Sequence, residues 1–295
     1  MKKIKKAVIA AAGYGTRFLP ATKNQPKEML PIIDKPIIHY LVEEAVNSGI
    51  EDIILVTRCG HTCLEDYFDS HRELEAELKN NGKMDRLKQI KEIPKMANFI
   101  YVRQKSDLPY GNATPLLSAL PVLDPEEPFV YMFGDDLTIS RKPVTKQLLD
   151  AFYKENPSAA LGVQEVPREE VHKYGTVRYK KRGKSRYEIK EACEKFPPEK
   201  APSRSAVFGR FVFSYDVVKK ATKTPTGKDG ELWVMDIINS LARGGKKVIA
   251  LPIEGEWHTT GDPLNYLKTS YKFALLRDDI KDELKRYLRE EGETS

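Results

Sequence analysis

The stretch VIAAAGYGTRFLPATKNQPKEMLP, from Val8 to Pro31, constrains this chain more than any other. The apolar run Ala7–Ala12 stops at Gly13 and Gly15, and the loop beyond them carries Arg17 and Lys27 together with Pro20, Pro26 and Pro31. A short apolar run that ends in glycine reads as a strand buried on both faces, the kind found in parallel sheets covered by helices. Glycines placed directly after such a strand let backbone N–H groups approach phosphate oxygens closely. Arg17 and Lys27 can reach the same anion, and the prolines limit how far the loop can wander. The segment therefore predicts a polyanion site at the head of an α/β sheet.

The basic start Met1–Lys6 ahead of this run copies a secretory signal superficially, but the run ends too soon. A buried strand explains it better, and no stretch approaches the ~18 apolar residues that span a membrane. The expected location is cytoplasmic, with no membrane partner. The charge balance is mild: 49 basic and 43 acidic residues give a net charge of +6, with the signs interspersed. That suits an anionic substrate, and no nucleic-acid partner is expected. The basic segment Lys180–Arg186 reads as the solvated turn of a β-hairpin, not as a nucleic-acid contact. Its Gly183-Lys184-Ser185 fails as a P-loop because Arg178 stands where the leading glycine is required. Cys59, His61 and Cys63 lack a matching second pair, so no structural zinc site is expected, and three cysteines imply no disulfide framework.

The first half alternates strand and helix. Ala7–Ala10, Ile53–Thr57, Phe99–Val102 and Phe129–Phe133 read as strands. Pro36–Ser48, a long charged Cys63–Glu92 and Thr114–Leu120 read as helices. The second half adds the hairpin, a strand at Val207–Phe213 and helices near Glu231–Arg243 and Asp262–Leu276. The predicted architecture is α/β: a mostly parallel, Rossmann-like sheet flanked by helices, a smaller antiparallel part, and C-terminal helices. The expected division is a unit over 1–276, with a first half of about 1–140 and a second of about 141–260, then a helical tail over 277–295.

Three further groups carry chemistry. Gly134-Asp135-Asp136 follows an apolar strand, where the sheets of α/β proteins open their ligand crevice. Carboxylates there suit Mg²⁺, which takes one or two of them together with substrate phosphates. Asp236 is a lone acid in an apolar helical stretch, a costly placement unless it is paired or metal-bound. Gln104 ends a strand and offers both a donor and an acceptor to a base edge. A dinucleotide-binding loop is excluded, because Phe18 replaces its third glycine.

Gly13-Tyr14-Gly15-Thr16-Arg17 followed by Pro26-Lys27-Glu28-Met29-Leu30-Pro31 resembles the signature of the sugar-1-phosphate nucleotidylyltransferases. Within that family the wording GTRFLPATK and PKEMLPI is most similar to the members that use UTP and glucose 1-phosphate. The similarity extends through Val102-Arg103-Gln104, Gly134-Asp135-Asp136, Tyr174-Gly175, Glu194-Lys195, Gly230-Glu231 and Gly261–Lys268, nearly the whole chain. It implies transfer of a uridylyl group from UTP to glucose 1-phosphate, releasing pyrophosphate, with Mg²⁺ as cofactor and a homo-oligomeric state.

By that resemblance Arg17 faces the departing pyrophosphate and Lys27 the phosphates at the reacting centre. Ala12, Gly13, Gly15, Gln104 and Gly111 hold the nucleotide. Asp136, Gly175, Glu194 and Lys195 hold the sugar phosphate, and Asp135 and Asp236 hold the metal. The chain departs from the family wording at Pro109, Asn112, Phe196 and Thr259, the last standing where an acid is common. His258 reads as a structural hydrogen-bonding residue. The same chemistry with dTTP or another sugar 1-phosphate stays open, as does a non-catalytic sugar-nucleotide-binding regulatory subunit. A regulatory subunit would be marked by loss of Arg17, Lys27, Asp135 or Asp236, and all four are present.

Overall fold

A computed structural model describes residues 3–60, 62–182 and 186–293. The chain opens with strand β1 (Lys6–Ala11), a short hairpin of β2 (Pro31–Ile32) and β3 (Lys35–Pro36), helix α1 (Ile37–Asn47) and strand β4 (Asp52–Thr57). Helices α2 (Cys63–Tyr67), α3 (Arg72–Asn80) and α4 (Met84–Glu92) lead to β5 (Asn98–Arg103), α5 (Thr114–Ser118), β6 (Phe129–Phe133) and β7 (Asp136–Ile139). Then come α6 (Val144–Glu155), β8 (Ala159–Glu165), the hairpin β9 (Gly175–Arg182) and β10 (Arg186–Glu194), and β11 (Ser205–Phe213). Helices α7 (Tyr215–Ala221) and α8 (Val234–Arg243), strands β12 (Val248–Pro252) and β13 (Glu256–Thr259), and helices α9 (Pro263–Ala274) and α10 (Lys281–Glu293) complete it.

Among the described residues nine strands form one sheet in the order β5-β4-β1-β6-β11-β8-β12-β10-β9. The first four are parallel, as the alternating apolar runs predict. Beyond them β11 runs antiparallel to both β6 and β8, and β10 runs antiparallel to β12 and β9. The sheet is therefore mixed: beyond its first four strands only β8 and β12 pair in parallel, so the expectation of a mostly parallel sheet holds in part. The expected long helix over Cys63–Glu92 is three shorter ones. The breaks fall at Phe68–His71 and at Asn81–Lys83, where Gly82 adopts a left-handed φ of 67°. The turn Gly183–Ser185 and His61 lie outside the described residues.

Side-chain alternation divides the core into two layers. Val8, Ile54 and Tyr131 face one side of the sheet, under α5, α7 and α8. Ala7, Ile9, Leu55 and Met132 face the other, under α1 and α6. Each large aliphatic side chain enclosed in this way contributes about 1.5–3 kcal/mol relative to exposure. With β1 central and covered on both faces, the apolar N-terminal run is core, and the glycine loop that follows it emerges at a fixed point.

Candidate functional site

In the register of the sheet Ala10 lies beside Phe133, so the loops that follow β1 and β6 leave together at the carboxyl ends of their strands. They open onto a cavity of about 960 Å³, within the usual size range of small-molecule sites. The opposite wall comes from the antiparallel half: Gly175 at the start of β9, Glu194 at the end of β10, and the residues leading into α8.

The loop conformation follows from its glycines. Gly15 has φ 63° and ψ 25°, a left-handed geometry that favours glycine, and Thr22 locks it by donating its hydroxyl to the Gly15 carbonyl at 2.8 Å. The next turn exposes Arg17, whose Nη1 donates to the carbonyl of Gly261 at 3.1 Å. Pro26 then directs a short turn, Lys27–Met29, back under β1. There Lys27 Nζ donates to Asp135 Oδ2, so residues far apart in sequence meet in one ion pair. Burial disfavours the Lys27 ammonium, but Asp135 and then Glu28 outweigh that and raise its pKa. Burial likewise opposes ionisation of Asp135, yet Lys27 holds it below the usual carboxylate value.

Asp136 behaves differently. Its Oδ2 accepts from the backbone N–H of Gly209 at 2.8 Å and its Oδ1 from the indole N–H of Trp257 at 2.7 Å. A register shift in β11 between Val207 and Phe211 spans Gly209, whose N–H makes this bond. Burial, with Asp135 adjacent, pushes the Asp136 carboxyl up to about 6. Asp136 thus borders the cavity and, through these two bonds, also supports the Asp135 loop.

Asp236 stands differently. Val234 and Met235 line the cavity, but Asp236 does not. One residue along a helix rotates the side chain by about 100°, and Asp236 Oδ2 instead abuts Gly227. Its pKa is raised by burial alone, with no charged partner contributing. Asp236 is thus not among the residues that line the cavity with Asp135. The oxygen beside Asp135 belongs to Thr259: a Cβ on Gly261 would sit 3.1 Å from Asp135 Oδ2 and 3.3 Å from Thr259 Oγ1.

Gln104 borders the cavity, its backbone N–H tied to the Thr57 carbonyl at 2.7 Å. Ala12, Gly13 and Gly111 line the same space. Gly111 has φ 142° and packs so tightly on the Leu232 backbone that a Cβ there would collide with it. Asn112 has a structural duty that its position in the sequence did not disclose. Its Oδ1 accepts the Val234 N–H at 2.8 Å at the start of α8, and its carbonyl accepts the Tyr131 hydroxyl at 2.7 Å. Tyr14 and Tyr110 stand 6.0 Å apart at the rim, with Arg58 over the Tyr14 ring.

At the far end Gly175 packs on Met235 and on Glu194, where a Cβ would lie 2.7 Å from Met235 Cγ. Glu194 is buried, and Lys195, in a left-handed turn with φ 48°, lays its ammonium over the Trp233 ring at 4.3 Å from the centroid. Phe196 points largely outward, so its insertion leaves the Glu194–Lys195 turn in the cavity wall. His258 sits in β13, 3.2 Å from Glu256 and off the cavity wall. Trp233, Thr259 and Glu28 are wall residues that the sequence reading left without a role. For Glu28 the available signal was an acid next to Lys27 in a turn whose neighbours Pro26 and Leu30 are buried.

A model of the nucleotidyl transferase family matches residues 6–274. The chain belongs to this family. A relative from Staphylococcus saprophyticus, UTP–glucose-1-phosphate uridylyltransferase 2, is 42% identical over 98% of this chain and 98% of its own. The UTP–glucose-1-phosphate uridylyltransferase of Bacillus subtilis is 40% identical over 96% of each. A UDP-glucose pyrophosphorylase solved with UDP-glucose superposes with a TM-score of 0.83 at 38% identity, covering 93% of this chain and all of that one. A UTP-bound UGPase from Acinetobacter baumannii gives 0.88 at 33% identity, covering 98% of this chain and 99% of its own.

Nucleotidyl transfer builds negative charge at a triphosphate, so the demand is for positioning and charge stabilisation. The cavity meets it with Arg17 and Lys27 at one end and Lys195 at the other. Enzymes of this family generally use a divalent metal. The donors here suit a hard cation: the Asp135 carboxylate and the Thr259 hydroxyl are both oxygens, and the place against Asp135 already holds a positive charge, the Lys27 ammonium.

Proposed function

We propose that this nucleotidyltransferase joins UTP and glucose 1-phosphate, giving UDP-glucose and pyrophosphate. The observation that carries the reading is the meeting of Arg17, Lys27 and Asp135 at one end of a cavity whose other end holds Gly175, Glu194 and Lys195. The named relatives, about 40% identical over nearly the full chain, support the choice of substrates. An oxygen of the sugar phosphate bonds to the α-phosphorus of UTP, the bond from that phosphorus to the bridging oxygen breaks, and pyrophosphate departs. Arg17 stabilises the charge that builds on the leaving group, and Lys27 the charge at the reacting phosphate. Mg²⁺, held by Asp135 with the substrate phosphates and water, would neutralise the same charge. The Gly13–Gly15 loop, with Ala12, lies along the triphosphate, Gln104 and Gly111 hold the base, and Glu194 accepts sugar hydroxyls while Lys195 meets the sugar phosphate.

Residues of about 1–140 supply the nucleotide half and about 141–260 the sugar half. A cytoplasmic location is part of this proposal and suits the three free thiols. No helix among the described residues is long and apolar enough to cross a membrane. It self-associates through its C-terminal helices, where Leu264, Leu267 and Tyr271 of α9 are exposed, and a light-scattering mass tests this. The deciding experiment is a pyrophosphate-release assay with Mg²⁺ over a panel of triphosphates and sugar 1-phosphates. Preference for UTP with glucose 1-phosphate is expected. Preference for dTTP or another sugar changes the substrate, and no release with any pair overturns the reading.

A further inference from the structure

Glu28 is wholly enclosed in the cavity wall, and neither of its carboxyl oxygens has a hydrogen-bond partner. An ionisable group left this way is rare, because burial removes water from it without replacement. Its position is tightly set. The turn Lys27–Met29 runs between buried Pro26 and Leu30, and a Cβ on Gly134 would lie 2.7 Å from Glu28 Cγ. The nearest cation is the Lys27 ammonium, 4.0 Å from Glu28 Oε1, which is beyond hydrogen-bonding reach. That ammonium is instead committed to Asp135 Oδ2. One lysine therefore stands between two carboxylates, bonded to the one that the metal would need.

The geometry points to Glu28 as a second seat for Lys27, a positioning residue that frees Asp135 for the divalent cation. The inference rests on the transfer reaction proposed above. In the resting protein Lys27 balances Asp135. When the cation takes Asp135, it repels the ammonium and competes with it for the same carboxylate, which favours a second seat where Lys27 keeps a counter-charge. Shortening the gap to Glu28 Oε1 from 4.0 Å to a charged hydrogen bond of about 2.8 Å is a shift of about 1 Å, well within the freedom of a lysine side chain. The move satisfies a carboxyl oxygen that is otherwise orphaned. It also keeps Lys27 charged and facing the cavity, where the phosphates are expected.

The test is an equilibrium titration with Mn²⁺, followed by the electron paramagnetic resonance of the free ion, in the presence of a non-hydrolysable UTP analogue. Glu28→Gln keeps the shape and removes the seat. Its Mn²⁺ dissociation constant is expected to rise about tenfold or more, the scale of lost outer-shell partners. In a Lys27→Met background no ammonium needs a seat, so the same substitution is expected to change Mn²⁺ affinity less than about twofold, the signature of coupling in a double-mutant cycle. Wild-type affinity in Glu28→Gln overturns the inference, and so does a loss that persists beside Lys27→Met, which would make Glu28 a direct ligand or a packing element. Should Glu28→Gln fail to fold, Glu28→Asp carries the same comparison. A smaller loss that vanishes beside Lys27→Met supports the second seat, and wild-type affinity overturns it. Pyrophosphate release by the parent with an unaltered Glu28→Gln titration would sink only this inference. A parent that binds no Mn²⁺ and releases no pyrophosphate would sink the proposed reaction as well.

Discussion

Arg210, completely enclosed in β11, meets Glu44 of α1 in a two-armed ion pair, Nε donating to Oε1 at 3.0 Å and Nη2 to Oε2 at 2.8 Å. The guanidinium also donates to the carbonyl of Asp136 through Nη2 at 2.6 Å. Glu44 accepts further bonds from Thr138 and Thr145, so the pair ties α1, β7 and α6 to the loop that carries Asp135. Burial opposes ionisation of Glu44, but Arg210 and then the Thr145 hydroxyl and N–H hold it below the ordinary carboxylate value. Removing one charge leaves the other uncompensated inside the protein. Glu44→Gln is expected to cost about 3–5 kcal/mol of stability, the range for a broken buried pair. Urea denaturation of the variant against the parent measures it, and a loss under about 1 kcal/mol would mean that the pair behaves like a surface one.

Arg17 reaches across the cavity mouth to the Gly261 carbonyl, and its exposed side chain has no other structural duty among the described residues. Arg17→Ala is therefore expected to fold normally and to lower turnover by about a hundredfold or more, the scale of a lost transition-state donor. Steady-state kinetics beside a melting curve check both halves. Near-normal turnover would remove Arg17 from the mechanism.

How much of this was legible beforehand depends on whether the information was local. Strand β1 and its glycine loop were legible because an apolar run and a left-handed glycine are properties of a few adjacent residues. The convergence of Arg17, Lys27 and Asp135 followed from the rule that parallel strands present their loops on one edge. The return of β11 between β6 and β8 was not legible, since antiparallel pairing of distant strands leaves no mark in local periodicity. Asp236 drew attention because apolar neighbours make any acid look purposeful, whereas only the phase of α8 decides which way it points. Thr259 and Glu28 went unassigned for the opposite reason: a hydroxyl and an acid inside a loop look ordinary until the fold sets them beside Asp135 and Lys27.

Gly134 permits a close backbone approach at the base of the Asp135 loop. Its N–H donates to the Ala10 carbonyl at 3.0 Å, and a Cβ would lie 2.6 Å from that oxygen and 2.7 Å from Glu28 Cγ. Neither neighbour can yield easily, because one is strand backbone and the other is a buried side chain. Gly134→Ala is expected to cost about 1–3 kcal/mol by overpacking. Activity is expected to fall further than stability does, because Asp135 is the next residue. Parallel denaturation and pyrophosphate-release measurements separate the two. A variant with parental activity would show that the loop can shift without consequence.

Glu28 also sets a direction for the pH dependence of stability. Burial raises its carboxyl from the ordinary 4.5 to about 7, against the pull of the Lys27 ammonium and with Asp135 adding to the rise. A raised carboxyl binds its proton more tightly in the folded chain than in the unfolded one. Between about pH 4.5 and 7 the folded state therefore carries more protons at this site, and stability falls as pH rises through that window. The full contribution is about 3 kcal/mol, from 1.36 kcal/mol for each pH unit between the two values. Glu28→Gln has no such titration. Measured by urea denaturation in metal-free buffer, it is expected to match the parent near pH 4.5 and to exceed it increasingly up to about pH 7, beyond which the difference levels off. A difference that stays constant over that range would mean that Glu28 ionises like an ordinary surface carboxylate, with Lys27 compensating fully for its burial.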